Sequence, residues 1–357
     1  MMCTRDRRSM ILRLLLNAQP HNFVIYYYSH MFTRNLLTRF ARHTIRYKAT
    51  KIDGKAIGQA VRDEIKVEVQ SMKKEFGDEA GSPGLAVVMV GARADSATYV
   101  NMKEKASEDL GFHSVKKLLD SETSEDELLD VVQNLNADEK IDGILVQLPL
   151  PDHISQKRIL EAISVDKDVD GFHPYNMGQL ARVGEELRQR RDGTEFSYRV
   201  AANNACTPLG CIELLDRSGV DLNGANVVVL GRSNIVGLPV SLMLMHRNAT
   251  VTLVHSRTKD IASIVKSADV VIAAIGQPEF VKGDWIKEGA VVIDVGVNFK
   301  DAPERKSGKK MCGDVDYAAA SELASQITPV PGGVGPMTIA MLMRNTVENA
   351  KRRLGMK

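Results

Sequence analysis

From Ile52 onward, apolar positions switch between two spacings, and the switching predicts helices interleaved with strands. Residues 55–76 repeat apolar side chains three and four apart and stop at Gly77, as an amphipathic helix does. Gly84 to Val90 is a short unbroken apolar run, the form of a strand covered on both faces. A helix over Asp95 to Leu110 follows, stopped by Gly111, then a strand at His113 to Leu118 and a helix at Ser124 to Leu135. Ile141 to Gln147 reads as another strand. A second set begins later: helix 208–217, strand 226–230, helix 235–247, strand 250–254, helix 259–267, and strands 269–275 and 290–295. Helices of this length between strands imply βαβ units and parallel sheets. The fold class is therefore α/β, with two α/β domains. Between the sets, residues 183–205 are charged and aperiodic, which suits an exposed insertion or linker.

One run fits neither spacing. Thr328-Pro329-Val330-Pro331-Gly332-Gly333-Val334-Gly335-Pro336-Met337-Thr338 holds three prolines and three glycines. Such a run predicts neither helix nor central strand. Prolines stiffen it, and glycines let backbone approach a ligand closely. It reads as a rigid ligand-facing loop before a helical tail, although composition alone also allows a tight connector.

A chain of 357 residues with 44% hydrophobic content has enough material for two cores. Its net charge of +2 hides an asymmetry. Residues 1–50 carry eight arginines, one lysine and a single acid, Asp6, leaving the remainder at −6. A mildly acidic body without a basic stripe argues against nucleic-acid binding. The arginine-rich, acid-poor start has the composition of a mitochondrial transit segment. Its clearest part is Met31 to Arg42, where Leu36, Leu37 and Phe40 share a face opposite arginines, and Met31 offers an alternative start. The apolar run Met10 to Leu16 is broken by Arg13 and too short to span a bilayer. No small-residue cleavage site follows it, as a secretory signal requires. The expected destination is the mitochondrial matrix. Cys3, Cys206, Cys211 and Cys312 form no C-x-x-C, so neither a disulfide framework nor a metal site is expected.

The strand Val227-Val228-Val229-Leu230 runs into Gly231-Arg232-Ser233-Asn234-Ile235-Val236-Gly237-Leu238-Pro239. Strand, glycine turn and helix start are the parts of a Rossmann-like pyrophosphate site, although the spacing is not G-x-G-x-x-G. NAD-preferring folds end the next strand with an acid for the ribose 2′-hydroxyl. Here Val251-Thr252-Leu253-Val254-His255 leads to Ser256 and Arg257, whose hydroxyl and guanidinium suit a 2′-phosphate, with Arg232 as a second cation. NADP is favoured over NAD; a solvated Arg257 is the plainer alternative.

Ser96, Tyr99 and Lys103 fall on one side of the second helix. Short-chain dehydrogenases also carry Y-x-x-x-K, but after their glycine-rich loop, whereas here it precedes Gly231 by about 130 residues. Alone, the pair would usually be a surface lysine beside a packed tyrosine. Val146-Gln147-Leu148-Pro149-Leu150-Pro151 puts an amide at a strand's C-terminal end, either as a ligand group or as a strand cap. Asp166-Lys167-Asp168-Val169-Asp170-Gly171 begins like a calcium loop, but Pro174 and Met177 occupy its ninth and twelfth positions. Without the bidentate glutamate, the calcium reading fails.

These motifs, with Pro329 to Thr338, occur in the order found in the bifunctional methylenetetrahydrofolate dehydrogenase/methenyltetrahydrofolate cyclohydrolases, which the chain resembles from about Ile52 to Leu354. The resemblance implies oxidation of 5,10-methylenetetrahydrofolate by NADP+ or NAD+, then hydrolysis to 10-formyltetrahydrofolate. It implies an interdomain cleft, a homodimer, and tetrahydrofolate derivatives as the partners. It implies a catalytic folate-binding domain over 51–205 with 337–357, and a Rossmann-like domain over 206–336. Lys103 matches the catalytic lysine, Tyr99 the tyrosine stacked on folate, Gln147 the amide beside the lysine and Asp170 the carboxylate at the pterin edge. Val100, Asn101, Met102, Val146, Leu148 and Pro331, Gly332, Gly333, Val334 and Gly335 complete the substrate set. Gly231, Arg232, Ser233, Ser256 and Val297 match nucleotide contacts, and Arg257 adjoins them. A lysine acting as base must be neutral, and a shift from ~10.4 to ~7.5 costs about 4 kcal/mol. Burial and a cationic methenyl substrate can supply that.

Val165 and Ala205 stand where the family usually has proline, and the segment 183–204 is longer than usual. Asn248-Ala249-Thr250 lacks the extra residues of NAD-preferring mitochondrial members, which again favours NADP. The competing expectations are a single-activity enzyme and a folate-binding subunit without turnover.

Overall fold

The computed structural model describes residues 48–91, 93–182, 203–303 and 308–356. The basic segment 1–47, with the amphipathic stretch 31–42, and most of the charged stretch 183–205 lie outside the described residues. In chain order the strands are β1 (Thr50–Lys51), β2 (Gly84–Val90), β3 (His113–Leu119), β4 (Gly143–Val146), β5 (Asn226–Leu230) and β6 (Thr250–Val254). They continue with β7 (Val270–Ala273), β8 (Val291–Asp294), β9 (Asn298–Asp301), β10 (Lys309–Cys312) and β11 (Gln326–Ile327). The helices are α1 (Gly54–Phe76), α2 (Ala94–Leu110), α3 (Glu125–Ala137), α4 (Gln156–Ala162) and α5 (Pro174–Ala181). After them come α6 (Cys206–Arg217), α7 (Gly237–His246), α8 (Ile261–Lys266), α9 (Tyr317–Ala320) and α10 (Val334–Arg353).

Two parallel sheets result. The first has the order β3-β2-β4, and all seven residues of β2 are buried, as its unbroken apolar run requires. The second has the order β1-β11-β8-β7-β5-β6. Its strands β5, β7 and β8 are buried between helices on both faces, which is the Rossmann-like arrangement. Thr50 and Lys51 pair with Gln326 and Ile327, so the first strand among the described residues lies on the second sheet's edge. β9 and β10 form a separate antiparallel pair that the alternating pattern does not predict.

Local chemistry explains the helix limits. The Asp53 carboxylate accepts the N–H groups of Lys55 and Ala56, both at 3.1 Å, and starts α1. Ser124 and Glu127 make a reciprocal capping box on α3. Gly111 closes α2 in the left-handed region. Two helices begin earlier than the sequence pattern predicts by more than one residue. α6 starts at Cys206 rather than 208, and α10 starts at Val334, inside the run expected to be loop. Pro208 and Pro336 each fall in a first turn, where the missing N–H has no intrahelical partner to lose. α10 packs on α1, α2 and α6, joining the surroundings of the two sheets in one core.

Candidate active site

The C-terminal edge of the first sheet meets α2 at a buried lysine. Ser96, Val100, Lys103, Ser107 and Leu110 form the buried stripe of α2 at helical spacing. Lys103 is only 8% exposed, and Tyr99, one turn earlier, is 37% exposed. The pair is therefore the reverse of a surface lysine beside a packed tyrosine. The Lys103 ammonium donates to Gln147 Oε1 at 2.9 Å. Gln147 follows β4, with its backbone N–H on Val88 C=O at 2.8 Å. Its own amide N–H goes to Leu148 C=O at 2.8 Å, which orients the oxygen toward the lysine.

Asp170 arrives from the turn after α4. Asp168 pairs with Ile144 in an isolated parallel bridge beside β4. The Asp168 carboxylate accepts the backbone N–H groups of Phe172 (3.3 Å) and His173 (2.8 Å) and the Asn176 amide (2.8 Å). Val169 C=O accepts from Asn345 of α10 at 2.8 Å and from the Cys206 thiol of α6 at 3.2 Å. Gly171 has φ +69°, and a Cβ there would lie 2.5 Å from Ala205 N. This scaffold sets Asp170 near Lys103. Asp170 accepts no hydrogen bond from the described residues. Burial pushes its carboxyl up to about 6, opposed by Lys103 and assisted by the charge of Asp168. Burial lowers Lys103, opposed by Asp170 and Cys206. Burial also raises the Cys206 thiol, with Asp170 adding to it.

The remaining predicted substrate residues divide. Val100 and Val146 are each 1% exposed and face the apolar core. Asn101 lies about 160° around α2 from Lys103. It stands beside Lys116, so its side chain does not join the group. Met102 is exposed, and Leu148 is half-buried. Pro331 to Gly335 lead from β11 into α10, with Gly332 at φ +104° and Gly333 as N-cap. A Cβ at Gly54 would lie 1.8 Å from Gly333 C=O, so the start of α1 presses on this loop.

The second constellation lies at the C-terminal edge of the second sheet. Gly231 has φ +108°, and its Cβ would meet Ala274 C=O at 2.1 Å. A Cβ on Gly237 would meet Gly231 C=O at 2.0 Å. The turn and the start of α7 thus close together only with glycine at both ends. Ser233 Oγ accepts the N–H groups of Val236 (3.2 Å) and Gly237 (3.4 Å), fixing the turn. Past β6, His255 Nδ1 accepts the Arg257 N–H at 3.1 Å and leaves Ser256 and Arg257 exposed. Among the described residues, the Arg232 and Arg257 guanidinium groups make no hydrogen bond. Val297, 47% exposed, lies beyond β8.

A cavity of about 730 Å³ lined by Ile141, Asp142, Lys167, Asn349, Arg352 and Arg353 opens at the opposite, N-terminal edge of the first sheet. Parallel α/β folds place ligands at the other edge, where Lys103 and Gln147 meet. No group of three metal-ligating side chains occurs among the described residues. Sequence reading missed Asp168, Asn176 and Asn345, whose partners are distant in the chain. Only the repeated acids of Asp166 to Asp170 signalled part of this scaffold.

Comparison with known proteins finds family models over both halves of the chain. Residues 52–170 match the family model "Tetrahydrofolate dehydrogenase/cyclohydrolase, catalytic domain". Residues 205–354 match the corresponding NAD(P)-binding domain. The chain is 54% identical over 309 residues to bifunctional protein FolD 2 of Arabidopsis thaliana, covering 87% of this chain and 98% of that one. It is 55% identical over 302 residues to the FolD protein of Geotalea daltonii, covering 85% and 99%. The solved Trypanosoma brucei methylenetetrahydrofolate dehydrogenase-cyclohydrolase, complexed with NADP cofactor and inhibitor, superposes with a TM-score of 0.78 at 41% identity. That match covers 86% of this chain and 99% of the trypanosomal one.

Proposed function

The chain belongs to the tetrahydrofolate dehydrogenase/cyclohydrolase family, and we propose that Lys103, Gln147 and Asp170 carry its folate chemistry. The enzyme oxidises 5,10-methylenetetrahydrofolate to 5,10-methenyltetrahydrofolate with NADP+ and hydrolyses that product to 10-formyltetrahydrofolate. The observation that carries the residue assignment is a buried Lys103 held by one neutral acceptor, Gln147 Oε1, at 2.9 Å. A neutral amine keeps an N–H for that acceptor and a lone pair for a proton. Burial already moves Lys103 toward this form. A cationic methenyl group in front of it moves it further. The amine then takes a proton from the water that attacks the methenyl carbon. Asp170, which takes no hydrogen bond from the described residues, accepts the amino and N3–H groups of the pterin. Tyr99 offers an exposed ring for stacking, and Pro331 to Gly335 form the rim of the site.

The second sheet fits the nucleotide. The Gly231–Gly237 turn brings backbone close enough to cradle a pyrophosphate, and Arg232, Ser256 and Arg257 supply free donors for a 2′-phosphate. NADP+ bound there supplies the hydride acceptor. Val297 borders its nicotinamide end. The test is Lys103→Met, which should abolish cyclohydrolase activity while NADP+ binding persists. Wild-type hydrolysis of methenyltetrahydrofolate by that variant would remove the assignment.

Three finer readings accompany this one. Residues 51–205 with 337–357 form the folate-binding domain and 206–336 the nucleotide domain; α10 packs on α1 and α2 of the former and also on α6 of the latter. The enzyme is a homodimer, which equilibrium sedimentation tests. The composition of residues 1–50 supports the mitochondrial matrix. A relative 50% identical is named chloroplastic, so a reporter fused to residues 1–50 that accumulates in plastids would overturn that destination.

A further inference from the structure

At the end of β8 and just after β10, two buried carboxylates, Asp294 and Asp314, hold the backbone segments next to the nucleotide turn. Asp314 Oδ2 accepts the N–H groups of Ile275 (2.7 Å) and Gly276 (3.0 Å). Its Oδ1 accepts the Gln277 N–H (2.9 Å) and the Asn298 amide (2.8 Å). Asp294 Oδ1 accepts the N–H groups of Gly296 (3.0 Å) and Asp314 (2.9 Å), and Oδ2 accepts that of Val315 (2.9 Å). The glycines make room: a Cβ on Gly313 would lie 1.9 Å from Asp294 Oδ2, and one on Gly296 would lie 2.3 Å from Asp314 Oδ1. The Asp294 N–H in turn donates to Thr328 Oγ1 at 2.7 Å, at the head of the glycine–proline loop.

The two segments gripped by Asp314 flank the proposed nucleotide site. Ile275 to Gln277 follow Ala274, whose carbonyl abuts Gly231, and Gly296 and Asn298 bracket the exposed Val297. We propose that Asp314 is a positioning residue for NADP+: its carboxylate spaces 275–277 from 296–298 and so sets the walls between which the nicotinamide end is held. Asp294 fixes Asp314 through its backbone N–H and carries the arrangement on to Thr328. Neither acid touches the folate group of Lys103, Gln147 and Asp170. The proposal rests on the nucleotide placement given above.

The bifunctional enzyme contains its own control, because the hydrolytic step needs no nucleotide. Asparagine at 314 keeps the shape but replaces one acceptor oxygen by a donor facing N–H groups. Asp314→Asn should lower kcat/KM for NADP+ about tenfold, mainly through KM, with cyclohydrolase activity retained. Asn298→Ala removes one donor from the same carboxylate and should shift KM for NADP+ in the same direction by less. If Asp314→Asn does not fold, Asn298→Ala decides alone. A parallel fall of both activities, or an unchanged KM for NADP+, overturns the positioning role. Arg257→Ala separates the two readings. If it raises KM for NADP+ and the Asp314 and Asn298 variants do not, only the positioning role falls; if it also has no effect, the nucleotide placement falls as well.

Discussion

On the folate side, Asp168 is held by two backbone N–H groups and an amide, while its neighbour Asp170 lies near a buried lysine and takes no hydrogen bond from the described residues. On the nucleotide side, Asp294 and Asp314 are both enclosed, and between them accept six backbone N–H groups and the Asn298 amide. Burial raises both Asp170, to about 6, and Asp294, to about 7. The difference lies in what opposes burial. A nearby cation opposes it at Asp170, and fixed N–H groups oppose it at Asp294. A carboxylate saturated by backbone locks geometry, whereas one left open beside a lysine is available to a ligand.

The largest effect of a substitution is expected at the open acid. Asp170→Asn loses charge-assisted acceptance from the pterin and should raise KM for methylenetetrahydrofolate about tenfold to hundredfold. KM for NADP+ should stay unchanged, and steady-state kinetics with each substrate varied will decide. Arg257→Ala should reduce the preference for NADP+ over NAD+ by about tenfold, because one charge-assisted contact to the 2′-phosphate disappears. Equal losses with both nucleotides would contradict that role.

The next effect is a pH dependence. Asp170 binds its proton more tightly folded, at about 6, than in an unfolded chain. Its contribution to stability is therefore complete below about pH 4 and is lost as the pH rises through about 6. Thermal melts should show the wild type gaining on Asp170→Asn as the pH falls from 8 to 5. A difference independent of pH would show that the proton is not bound there. The smallest effect is a control away from both acid pairs. Ser124→Ala removes the capping box of α3 and should cost about 1 kcal/mol, lowering Tm by about 2 °C with both activities intact.

Much of this was legible in the sequence where local pattern and tertiary role coincide. The apolar run Gly84 to Val90 is a fully buried strand, and Lys103 and Gln147 meet as the family resemblance implies. The environment of Lys103 was less legible. Its helix buries two serines and a lysine, so the apolar stripe that marks an inward face is diluted. Asp294 and Asp314 gave no signal. Their partners are backbone N–H groups, which every residue carries, and only the adjacent Gly296 and Gly313 hint at close packing. The helix start at Val334 was hidden because a proline and glycines normally argue against a helix, yet the first turn tolerates both.

The short strand Thr50–Lys51 bears on where the start of the chain can be trimmed. Ala49, Thr50 and Ile52 donate their N–H groups to Ser321, Ser325 and Ile327 at 2.8, 2.8 and 2.9 Å. A protease that trimmed through them would strip an edge strand from the nucleotide-side sheet and leave Gln326 and Ile327 paired only with β8, close before the rim loop. A leader of residues 1–50, as composition suggests, would take Ala49 and Thr50 out of the sheet, whereas a cut upstream of Ala49 leaves it whole.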